Sequence, residues 1–121
     1  IVFIGAVVTV TIFLTELTSN TATATLLIPI MGSAAVAMGV NPYGTIVGAC
    51  VAASYAFMLP VATPPNAVVF GSGCVSIPQM AKAGFWLNIF GIIAITSFVV
   101  YIMPVLWGLQ LDILPEWAIG K

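Results

Sequence analysis

Glu16-Leu17-Thr18-Ser19-Asn20-Thr21-Ala22-Thr23-Ala24-Thr25 sets a knot of hydroxyls and amide groups between two strongly apolar arms. A tip of this kind facing lipid would leave backbone N–H and C=O groups unsatisfied, at a cost of several kcal/mol each. It must therefore be buried in protein or line a wet cavity. A second interruption, Leu59-Pro60-Val61-Ala62-Thr63-Pro64-Pro65-Asn66, cuts the next apolar run. Two such breaks in one hydrophobic chain suggest a site.

Composition fixes the solvent. The 121 residues are 62% hydrophobic and 4% charged, the charges being Glu16, Lys82, Asp112, Glu116 and Lys121. Soluble proteins carry roughly a quarter charged residues, so the reading is an all-α integral membrane chain. The sequence has no His and no Arg, and no paired carboxylates. Acyl transfer, phosphoryl transfer and metal hydrolysis lack their working groups, and the chain reads as no enzyme. No basic patch exists for nucleic acid. Cys50 and Cys74 have neither His nor Cys-x-x-Cys spacing beside them, so no transition-metal or redox site is expected.

Ile1 to Leu14 is apolar but short of the roughly 20 residues of a helical span. From Ala22 the chain is apolar again to Met38, and Gly39-Val40-Asn41-Pro42 is a turn signal. Residues 1–40 thus read as a re-entrant helical hairpin with its polar tip at 15–25. An extramembrane loop between two spans is the open alternative. Residues 41–72 read as a discontinuous transmembrane helix broken at 60–66, because Pro60, Pro64 and Pro65 remove donors and fix φ. A ligand-free proline kink is the bland version. Small residues from Gly44 to Ala56 would allow close helix packing.

Residues 73–84 read as an interfacial connection. Phe85 to Trp107 is long enough for one uninterrupted span, with Trp86, Tyr101 and Trp107 placed for an aromatic belt. Residues 108–121 form an extramembrane tail. The positive-inside tendency puts Lys82 in the cytoplasm and the acidic tail outside, in a multi-pass protein of a plasma or bacterial inner membrane. The chain starts at Ile1 inside an apolar run without a signal-peptide pattern. It reads as a piece of a longer protein, with its site shared with the rest.

Hydroxyls, amides and freed carbonyls suit a small hard cation such as Na+. Backbone N–H groups at half-helix N-termini suit a carboxylate. An anion in low dielectric is costly, and nearby cations offset that cost, so anion binding should depend on sodium. Glu16 could balance sodium charge or pair with a basic residue elsewhere; equally, it could be an ordinary helix-terminal residue.

Ser19-Asn20-Thr21, preceded by Thr15-Glu16, together with Leu59 to Ala67 and the Pro115 to Ala118 tail, resembles the second half of the divalent anion/sodium symporter family. The resemblance implies half of an inverted-repeat transporter that carries di- or tricarboxylates (succinate, malate, fumarate or citrate type) with sodium, as a homodimer surrounded by lipid. It implies that Ser19, Asn20, Thr21, Thr63 and Pro64 touch substrate, and that oxygens of Thr15, Thr18, Asn20 and Ala62 hold one sodium. A second Ser-Asn-Thr and a second sodium site would lie in an N-terminal half. A sodium-independent exchanger of the same fold and a non-transporting membrane subunit stay open as alternatives.

Overall fold

A computed structural model describes residues 1–120; Lys121, one of the tail charges, lies outside the described residues. Helices α1 (Val2–Thr15), α2 (Asn20–Ala37), α3 (Pro42–Ala52), α4 (Pro64–Gly71), α5 (Ile77–Ser97) and α6 (Met103–Trp107) follow one another, and no strand occurs among the described residues. A π-helical turn, Phe98–Ile102, joins α5 to α6, and a 3₁₀ turn, Glu116–Ile119, lies in the tail. The all-α reading holds.

Length separates these helices. Ile77–Trp107 runs as 31 helical residues, or about 46 Å at 1.5 Å per residue, well over the ~30 Å of a bilayer core. With 14 and 11 residues, α1 and α3 reach only about 21 and 16 Å. Between them lies α2, an apolar helix of 18 residues.

The polar knot is mostly helical. Ser19 caps α2 in an extended conformation, its Oγ accepting from the Ala22 N–H at 3.1 Å, which starts the helix at Asn20. Only Glu16 to Ser19 remain outside regular structure, a tighter break than the expected 15–25. The second break differs in the other direction. α3 ends at Ala52 and α4 begins at Pro64, so the irregular stretch is 53–63, while Pro64, Pro65 and Asn66 are the first turn of α4. Proline is well tolerated there, because first-turn N–H groups have no intrahelical partner.

The long helix also starts earlier than its apolar run. Ser76 and Gln79 form a reciprocal capping box and Pro78 sits in the first turn, so helix begins at Ile77, inside the stretch expected to be a connection. Near the far end, Pro104 supplies no N–H. The helix widens there into the π turn, and the Met103 N–H bonds back to the Phe98 carbonyl.

α1 packs against α3 and α5, and α2 against α3. The shared core is Ile4, Val8, Ile12, Ala52, Ile95, Val99 and Met103. Close approach depends on small residues: a Cβ at Gly48 would stand 3.2 Å from Val8, and one at Gly44 would stand 3.2 Å from Ile4. The free ends of the α1–α2 hairpin lie at one end of the bundle. There Asn41 bonds to Leu111 and Gln110 through its N–H and amide, and Tyr43 meets the Trp117 ring at 5.1 Å. The tail therefore folds back over the start of α3. The tip at 16–19 and the break at 53–63 sit together toward the other end.

Along the long helix, one face carries Met80, Gly84, Asn88, Gly91, Ile95, Val99 and Met103, all buried. The face behind it exposes Trp86, Phe90, Ile93 and Tyr101. Burial at i+3 and i+4 spacing turns the inner face to the hairpin and the break.

Candidate functional site

The N-terminus of α2 and the loop 53–63 line one open cavity of about 600 Å³. Ser19, Asn20 and Thr21 line it from the hairpin side, and Ala62, Thr63 and Pro64 from the break. Asn20 and Thr63 are thus brought to one space. Two sequence-expected residues are not on its wall. Thr15 lies buried beneath it, joined to Asn20 through a 2.7 Å hydrogen bond. The Thr18 hydroxyl turns away, donating to the Leu14 carbonyl at 2.9 Å and lying 2.5 Å from Thr23 Oγ1.

The polar groups of this wall are oriented before any ligand arrives. Ser19 Oγ and Thr63 Oγ1 each accept a backbone N–H, from Ala22 and from Asn66, which fixes their rotamers and leaves both O–H protons to donate. In α2 the Asn20 and Thr21 N–H groups are first-turn donors without intrahelical partners. Helix α4 differs, because its first two residues are prolines and offer no N–H. Both helix N-termini contribute positive dipole ends to the cavity, but the backbone donors come from α2.

Beneath the wall, oxygens crowd together. Thr15 Oγ1 is 2.7 Å from Asn20 Oδ1 and 2.7 Å from the Ala53 carbonyl. One hydroxyl proton serves two acceptors there. Oxygens gathered with fewer protons than they can share suit a cation, which supplies the missing positive charge. Ala53 was not singled out from sequence; nothing local distinguishes its carbonyl from others at the end of α3.

The loop has no ladder of its own and is held from both sides. The Glu16 carboxylate accepts the N–H groups of Phe57 at 2.8 Å, Met58 at 3.0 Å and Leu59 at 3.4 Å. Asn66 Nδ2 donates to the carbonyls of Ala56 at 3.1 Å and Leu59 at 3.0 Å. Glu16 is 3% exposed, which settles its place as an interior residue. Asn88, fully buried on α5, donates from Nδ2 to Glu16 Oε1 at 2.8 Å. Sequence reading passed over Asn88. Its signal was a lone amide in the apolar run 85–107.

Glycines on the same helix face admit the loop. A Cβ at Gly84 would lie 2.6 Å from the Met58 backbone, and one at Gly91 would lie 2.2 Å from the Tyr55 ring. The floor of the break is therefore Gly84, Asn88 and Gly91.

Comparison with known proteins agrees with the resemblance carried by the two breaks. The family model described as sodium:sulfate symporter transmembrane region matches residues 1–111. The Pro115 to Ala118 tail lies outside that match. Sodium-dependent dicarboxylate transporter SdcS of Staphylococcus aureus strain MRSA252 is 52% identical over 98 residues, and that of strain USA300 is 51% identical over 98 residues. Each alignment covers 81% of this chain and 19% of the relative, so the chain spans about a fifth of the length of these transporters. With the match running over both breaks and all the helices, the chain belongs to the sodium:sulfate symporter family of membrane transport proteins.

Proposed function

We propose that the chain forms one half of the binding site of a sodium-coupled symporter for dicarboxylates. The observation that carries this is the single cavity where the Ser19-Asn20-Thr21 end of α2 meets Ala62-Thr63-Pro64, above the proton-poor oxygens of Thr15, Asn20 and Ala53. The relatives named above are called sodium-dependent dicarboxylate transporters, which supports the substrate class. Tricarboxylates such as citrate belong to the same proposal, since the acceptor chemistry is shared.

In this reading Ser19, Thr21 and Thr63 donate hydroxyl protons to a substrate carboxylate, and Pro64 shapes the wall beside it. Asn20 serves both ligands, offering Nδ2 to the carboxylate and Oδ1 to sodium. Carbonyl or hydroxyl oxygens of Thr15, Thr18 and Ala62 complete the cation shell, with Ala53 added to that set. Sodium enters as co-substrate. Its charge offsets the cost of placing an anion in a low-dielectric cavity, so neither ligand binds well alone.

The hairpin α1–α2 is re-entrant in this proposal. Asn88, level with the tip, lies 11 residues from Ile77 and 19 from Trp107 in the 31-residue helix, so about 16 Å and 28 Å of helix extend past it on either side. Helix on both sides of the tip is what supports the re-entrant reading. The rest of the site comes from an inverted-repeat N-terminal half, and the protein works as a multi-pass homodimer with the tail outside.

Uptake of radiolabelled succinate into vesicles bearing the full-length protein tests this. Uptake abolished when choline replaces sodium is the expected result. Uptake retained in choline with internal counter-substrate would instead establish an exchanger, and no uptake under any gradient would establish a non-transporting subunit.

A further inference from the structure

The Glu16 carboxylate stands out among the buried groups because no cation is among its partners in the described residues. Every partner it has among the described residues is a neutral N–H donor: three from the loop and one from Asn88. Those dipoles solvate the carboxylate but bring it no formal positive charge. The adjacent residue in the chain is Thr15, whose hydroxyl holds the oxygen cluster with Asn20 and Ala53.

Asn88 is equally out of place as packing. Its Oδ1 is buried and has no hydrogen-bond partner among the described residues, a cost that an apolar residue of similar size would not carry. What the position uses is the Nδ2 donor aimed at Glu16. From the carboxylate the loop runs from Leu59 to Ala62 and Thr63, so the height at which Glu16 hangs residues 57–59 sets where the cavity wall begins. Gly84 and Gly91 press the same loop from below.

We infer that Glu16 and Asn88 are positioning residues for the cation side of the site. Glu16 sets the local charge that favours sodium beside Thr15 and ties the break loop to the hairpin tip. Asn88 anchors that carboxylate to the long helix. The inference rests on the sodium-coupled reading above and adds residues that do not touch either ligand.

Sodium titration of succinate uptake by the full-length protein in vesicles is the test. Glu16→Gln keeps the shape and removes the charge; its sodium half-saturation should rise about tenfold, with the succinate KM at saturating sodium within about twofold of the parent. Asn88→Ala keeps the charge and loses the anchor, so its half-saturation should rise about threefold, and Glu16→Asp should recover much of the loss. If Glu16→Gln does not accumulate in the membrane, Asn88→Ala decides. Sodium titrations unchanged from the parent would overturn the inference. So would a succinate KM that rises in step with the sodium constant, which is the mark of a packing defect. A parent protein indifferent to sodium would instead sink the proposed function itself, and that outcome is read before any variant is made.

Discussion

Thr15 Oγ1 stands 2.7 Å from the Ala53 carbonyl, joining the end of α1 to the end of α3 across 38 residues of chain. The same oxygen is 2.7 Å from Asn20 Oδ1. A single buried hydroxyl therefore ties the hairpin to the broken helix at the point where the two acceptors compete for one proton.

Thr15→Val keeps the volume and removes that hydroxyl. Two buried acceptors lose their donor, and stability should fall by about 1–3 kcal/mol. With Thr15 in the proposed cation shell, the rise in melting temperature on adding sodium should shrink as well. Thermal unfolding of the detergent-solubilised protein with and without sodium measures both. A full sodium response in this variant would remove Thr15 from the shell.

Asn20→Ala should weaken sodium and succinate binding together. The side chain presents Oδ1 to the oxygen cluster and lines the cavity, so in the proposed site one truncation removes a contact to each ligand. Calorimetric titration of each ligand reads this directly, and normal sodium affinity would contradict the dual role.

Thr63→Ala should harm substrate binding more than sodium binding. The hydroxyl caps Asn66 and the residue lines the shared cavity, so the change also loses a helix cap, a cost of about 1 kcal/mol. Thr63→Ser keeps both functions and should behave as the parent. Succinate KM for the two variants, at saturating sodium, separates the cap from the contact.

Gly84→Ala should be worse than Gly91→Ala. At Gly84 the added methyl meets the Met58 backbone at 2.6 Å, whereas at Gly91 it meets the side chain of Tyr55. A ring can swing aside, but the Met58 backbone is held by Glu16. Overpacking of about 1–3 kcal/mol is expected at Gly84, read as a lower melting temperature together with slower uptake. The reverse order would mean that the loop yields more easily than Tyr55.

Much of this was written in the order of the residues. The absence of charge from Leu17 to Ala81, the arms of sub-spanning to marginal length and the prolines at 60, 64 and 65 specify a membrane chain whose helices are interrupted. Ser19, Thr63 and Ser76 each accept a backbone N–H three positions on, so helix starts are decided by local hydrogen bonds and could be read locally. The extent of the second break could not. Loop 53–63 stays irregular because the N–H groups of 57–59 are taken by Glu16, 41 to 43 positions away, and the carbonyls of 56 and 59 by Asn66. Nothing in Tyr55-Ala56-Phe57-Met58 itself forbids helix. Sequence alone fixed the solvent, the caps and the two polar motifs, since these depend on composition and neighbours. Only tertiary packing could assign Glu16 to the loop and Asn88 to Glu16, because a buried carboxylate takes whatever donors the fold brings within reach, and those donors come from distant parts of the chain.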